Sequence, residues 1–85
     1  MLTLEAAKLH LRVDGHDEDA AIAEMIDAAR DHLESIGVEV PADHVPPAIR
    51  HAALILVAHF YDGREGGAMP VTADRLAAPY REAVL

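Results

Sequence analysis

The 85 residues carry 52% apolar side chains, 15 acids, 7 bases and no cysteine, for a formal charge of −8. Seventeen of the apolar residues are alanine, leaving 27 large enough to fill a core, which suits one small domain over residues 1–85 and excludes a second. Without cysteine there are no disulfides, thiolate zinc sites, iron–sulfur clusters or Cys nucleophile, and the acidic balance argues against autonomous binding to a phosphate backbone.

In chain order, the first predicted element is a short helix from Thr3 to about Leu11. Thr3 supplies the N-cap, and Glu5 sits in the first turn, where a carboxylate suits the positive end of the helix dipole. Val13-Asp14-Gly15-His16 is expected to break it, with Gly15 as the turn residue. A second helix is expected from a cap at Asp17 to about Ile36, stopped by Gly37. Ile22, Met25, Ile26, Ala29, Leu33 and Ile36 step by three and four, while Glu24, Asp27, Asp31 and Glu34 fall opposite. From Asp14 to Glu34 there are eight acids against one base, Arg30, a surface that seeks a basic partner or stays solvated.

Val38-Glu39-Val40 alternates but is too short for a strand, and Pro41 to Val45 reads as loop. Pro46-Pro47 opens a third helix, since proline suits the first turn. From Ile49 to Tyr61 that helix is apolar nearly all round, so residues 47–62 read as a buried central helix. Its neighbours in one chain are too few to cover it, which predicts self-association. A core of this size seldom supplies more than ~3–5 kcal/mol alone, so the same conclusion follows from energetics. Gly63 to Val71 reads as a mobile loop. A last helix begins at Thr72 or Ala73, turns Leu76 and Tyr80 inward, and is kinked or shortened by Pro79. The expected fold class is all-α: a small bundle of four helices, two long and two short.

No catalytic constellation emerges. Asp14 to Asp19 resembles a calcium loop only superficially, because Asp19 stands where glycine is needed and Met25 where the bidentate Glu is needed. None of the six histidines has a partner at the i, i+4 spacing of a helical zinc pair, and His51 and His59 lie two turns apart. His59, which interrupts the apolar helix, reads as topping the core or as a contact between subunits. Gly63-Arg64-Glu65-Gly66-Gly67 lacks the Gly-Lys-Ser/Thr ending of a phosphate loop. Metal and cofactor are therefore not expected. The start lacks the basic and apolar blocks of a signal peptide, and Ala52 to Ala58 is far shorter than the ~20 residues that span a membrane.

Several stretches, in order, resemble the small head–tail connector (adaptor) proteins of long-tailed phages and their relatives in prophages and gene transfer agents. They are Leu2-Thr3-Leu4-Glu5-Ala6-Ala7-Lys8 with His10-Leu11-Arg12-Val13-Asp14; Asp19 to Arg30 with Ala28-Ala29-Arg30; Pro47-Ala48-Ile49-Arg50 leading into Leu56 to Tyr61; and Leu76-Ala77-Ala78-Pro79-Tyr80-Arg81. The run from Ala58 to Glu65, Ala-His-Phe-Tyr-Asp-x-Arg-Glu, adds specificity. One departure is the short segment from Ser35 to Val45, where many members carry a longer one, so no inserted strand or hairpin is expected there.

The resemblance implies a non-enzymatic ring of copies beneath the portal protein. It would present a platform to the next neck or tail-completion protein and pass double-stranded DNA through its lumen. The particle neck, assembled in the bacterial cytoplasm, is the implied location. On this reading Arg12, Asp14, His59, Tyr61, Arg64, Glu65, Tyr80 and Arg81 are candidates for contacts with neighbouring copies or portal, Arg50 less so. Asp27, Asp31 and Glu34 are candidates for a channel wall or an inter-subunit seam. The competing reading is an acidic helical interaction module, either a small regulator or a DNA-mimic inhibitor.

Overall fold

Thr3 does open the first helix. In the computed structural model, which describes residues 1–41, 44–63 and 69–81, its hydroxyl accepts a hydrogen bond from the Ala6 amide at 3.1 Å. Helix α1 runs over Leu4–Leu11 and α2 over Asp19–Ser35; α3 follows at Pro47–Tyr61 and α4 at Val71–Ala77, continued by a 3₁₀ turn at Ala78–Tyr80. The described residues contain no β-sheet, only a single antiparallel bridge between Val38 and Arg81. The fold is thus the expected all-α bundle of two long and two short helices.

Both α1 and α2 end in the same way. After α1, Arg12 takes a left-handed conformation (φ 59°), its amide reaches Leu9 O and the Val13 amide reaches Lys8 O at 2.9 Å. After α2, Gly37 takes φ 92° and the Val38 amide reaches Leu33 O at 3.0 Å. These reverse turns satisfy carbonyls left over at a helix end and favour glycine at the left-handed position. Gly37 meets that preference. Arg12 does not, yet the helix ends at Leu11 as expected, just ahead of the Val13–His16 break.

The expected cap of α2 is displaced. Asp17 lies in the preceding turn, Glu18 stands at the N-cap without a side-chain cap bond, and the helix begins at Asp19. The two carboxylates at the helix start are engaged elsewhere: that of Glu18 accepts a hydrogen bond from the Tyr61 hydroxyl, and that of Asp19 pairs with Lys8. At the other end of the chain, α4 begins one residue early, at Val71. Pro79, which lacks an amide proton, coincides with the change from α to 3₁₀ geometry after Ala77.

Helix α3 is central, packed by α1, α2 and α4. It contributes Ile49, Ala52, Ala53, Leu56 and Val57 to the core; α2 gives Ile22, Ala29 and Leu33; Ala7, Ala73, Ala77, Val38 and Val40 complete it. Alanine at so many of these positions lets helix axes approach closely, and the large residues, above all Ile22, Leu33, Ile49 and Leu56, supply most of the burial. Each such side chain contributes about 1.5–3 kcal/mol.

Two expectations about this core are corrected. Helix α3 does have a solvent face, because Pro47, Arg50 and His51 are exposed, and one chain covers its five core residues almost completely, with α1 adding cover beyond α2 and α4. Beyond that face, Ala48, Leu54, Ile55 and Ala58 through Tyr61 are half-buried. Tyr80 does not turn inward with Leu76. Change of helix type at the Ala78–Tyr80 turn rotates it out, and it is 43% exposed.

Candidate functional site

Three of the chain's bases are held by partners within the chain. Lys8 Nζ donates to the Gly15 carbonyl and pairs with Asp19 Oδ1 at 2.7 Å, fixing α1 to the start of α2. Arg30 Nη1 donates to Val40 O at 3.0 Å, and Arg81 Nε donates to Ile36 O at 2.7 Å. These last two tie the extended segment after α2 to α2 itself and to the end of the chain. Arg81, expected at a contact between subunits, is therefore engaged first in holding its own fold. Arg12 and Arg50 are exposed and make no ion pair among the described residues.

His16 Nδ1 lies 3.0 Å from Asp19 Oδ2, so the Asp19 carboxylate has two partners, Lys8 and His16. The hydrogen bond from Lys8, then that from His16, holds the Asp19 pKa below its ordinary 3.8. A depressed carboxylate pKa adds stability that is present above the unfolded value and lost as pH falls through the folded one. Asp19→Asn is therefore expected to be less stable than the parent at neutral pH. The two urea-denaturation midpoints should converge once the pH is well below 3.8. A difference that persists unchanged in acid would contradict the pairing.

Tyr61 is half-buried, and its hydroxyl donates to Glu18 Oε1 at 3.0 Å. That bond to a carboxylate, then burial, raises the Tyr61 pKa above its usual 10.0. His59 is half-buried with its ring edge-on to that of its neighbour Phe60, centroids 5.8 Å apart. Asp14 and Tyr80 are exposed; Arg64 and Glu65, with most of the 63–71 loop, lie outside the described residues. The contact candidates are thus dispersed over the α1–α2 turn, the α3 end and the chain end rather than gathered in one cleft.

The acids of α2 are gathered. Glu24, Asp27, Asp31 and Glu34 are all exposed on the face opposite Ile22, Ala29 and Leu33, with exposed Ala28 between them. Arg30 faces away from this ridge, toward the Val40 carbonyl, so no base interrupts it. A depression lined by Glu34, Gly37, Val38 and Glu39 adds one more carboxylate, Glu39, at its C-terminal end. It offers a small molecule no base, nucleophile or enclosed apolar wall.

Among the interactions not expected from sequence are the Lys8–Asp19–His16 cluster and a 2.8 Å contact between His32 Nε2 and Asp74 Oδ1 that links α2 to α4. The i, i+3 spacing of His16 and Asp19 could have suggested the first. Nothing local marks the second, whose partners are 42 residues apart. Among the described residues no three His, Asp or Glu side chains are grouped to hold a metal ion. No described helix is long and apolar enough to cross a membrane.

What the described surface offers is therefore an acidic ridge and scattered exposed bases on a helical frame. No curated protein and no solved structure matches the chain significantly. The sequence model of one family does match, over residues 1–77, which takes in α1 through the end of α4. On that match the chain belongs to the family of phage gp6-like head-tail connector proteins.

Proposed function

We propose that copies of this chain close into a ring beneath the portal at the capsid vertex, join head to tail, and let double-stranded DNA pass through the lumen. Family membership makes the chain a structural phage connector of the virion, with other head and tail proteins as its partners. The ring, the portal contact and the DNA path are the further content of the proposal. So is the absence of enzymatic activity.

The observation that carries this reading is the division of the surface. The described residues offer no catalytic cluster, whereas α2 presents an unbroken acidic ridge on a face that its own fold leaves open. Acids lining a channel or its seams repel phosphates. They give DNA no cations with which to exchange its counterions, so it slides without sticking. An acidic regulator or DNA mimic would share the charge, but not the family match over nine-tenths of the chain.

Native mass spectrometry of the purified chain, alone and mixed with its portal protein, tests the assembly. The expected result is a cyclic oligomer of one defined copy number, formed either alone or on the portal. Monomers that never join a portal particle at any concentration would overturn the ring.

A further inference from the structure

The geometry points to a specific seam between neighbouring copies: the corner formed by Leu9 and Arg12 at the end of α1 docks on the α2 ridge of the next copy, with Leu9 over Ala28 and Arg12 among Glu24, Asp27 and Asp31. This inference rests on the ring reading and adds which two surfaces meet.

Leu9 is 82% exposed, the most exposed large apolar side chain among the described residues, although the same short helix buries Ala7 completely. Solvent gives it nothing, and a single exposed leucine would be unremarkable by itself. Its neighbour distinguishes it. The Arg12 amide bonds to Leu9 O, so the two residues share one turn, and Arg12 holds the left-handed conformation that glycine normally occupies. The Arg12 side chain is exposed and makes no ion pair among the described residues, whereas Lys8, Arg30 and Arg81 are each engaged within the chain. A strained backbone thus presents a free guanidinium beside an apolar knob.

The ridge on α2 has the complementary form. Ala28 stands one turn from Glu24 and from Asp31 on the same face and beside Asp27, and all four are exposed. The alanine is a small apolar seat and the three carboxylates are a socket for a cation, with no ion pair to a base among the described residues. Carboxylates match the planar guanidinium well. Corner and ridge are different patches, so the contact is head-to-tail, the kind that generates a closed ring when the rotation permits.

The chain has no cysteine, so a disulfide can be read without background. The double variant Leu9→Cys, Ala28→Cys, oxidised under assembly conditions, is expected to give a covalent ladder extending well beyond dimer on a non-reducing gel. Arg12→Glu should weaken self-association by about tenfold or more, since one attraction becomes repulsion against several carboxylates. Adding Asp31→Arg to it should recover part of the loss. Arg12→Gly separates contact from fold: it relieves the left-handed strain and should raise the subunit's melting temperature by ~2–5 °C. The same variant should assemble more weakly.

A wild-type ring that forms while the double-cysteine chain gives no ladder, or stops at dimer, would overturn this seam and leave the ring reading standing. So would normal assembly by Arg12→Glu. Failure of the unmodified chain to assemble even with portal would remove both.

Discussion

Replacing Leu56 by alanine is expected to cost about 2–5 kcal/mol of folding stability. Leu56 is fully buried near the middle of α3, the helix against which every other helix packs. Deleting its branched end leaves a cavity with little prospect of collapse, because Ala52 and Ala53 beside it have no longer side chains to move in. A domain of this size holds only about 4–13 kcal/mol in total. The variant should therefore be partly unfolded at 37 °C and show a much lower urea midpoint. Leu9→Ala, at a site 82% exposed, should change stability by less than about 0.5 kcal/mol. Equal effects from the two substitutions would mean that the burial assigned to α3 is wrong.

The second large effect is functional. Reversing Asp27, Asp31 and Glu34 to lysine moves the formal charge from −8 to −2, three changes of two units each. All three sites are exposed and none makes an ion pair among the described residues, so the subunit should fold almost as stably as before. In the ring the change is multiplied by the copy number. Three new cations per subunit would either oppose the neighbour's Arg12 at the seam or face the DNA. Each cation that neutralises a phosphate adds roughly 0.9 to the salt slope of DNA binding. Ring assembly should fail, or DNA should leave the head slowly and in a salt-dependent way. Particle yield and DNA release at two salt concentrations distinguish the two outcomes. Normal, infectious particles from the triple variant would remove the ridge from the account.

Much of the fold was legible because its determinants are local. Thr3 caps α1 through a bond three residues away, the stripe from Ile22 to Ile36 follows the helical period, and Gly37 supplies the positive φ that closes α2. Proline at 47 and at 79 marks a start and an end for the reason that it has no amide proton. The misreadings have a common origin in long-range contacts. Asp17 is a plausible cap by residue type, but the helix begins at Asp19 behind Glu18, whose carboxylate is held by Tyr61, 43 residues away. The apolar run in α3 suggested a helix too large for one chain to cover, but composition cannot show that α1 folds back onto it or that so many contacts are made by alanine.

The candidate surface was legible in part for the same reason. Exposure of Asp27, Asp31 and Glu34 follows from helical periodicity alone. The state of each arginine does not. No local pattern marks the bond from Arg81 to the Ile36 carbonyl, 45 residues away, and the left-handed backbone of Arg12 has no sequence signature because glycine is the residue expected there. The histidine that links helices, His32, drew no notice in the sequence, whereas His59 sits edge-on to its neighbour Phe60.

The central claim is that this chain joins head to tail. Electron microscopy of particles made when its gene is deleted from the encoding phage or prophage tests that claim most directly, with the chain supplied from a plasmid as the control. The account predicts heads and tails that accumulate separately, and tailed particles that return on complementation. Tailed, DNA-containing particles in normal number without the chain would contradict it.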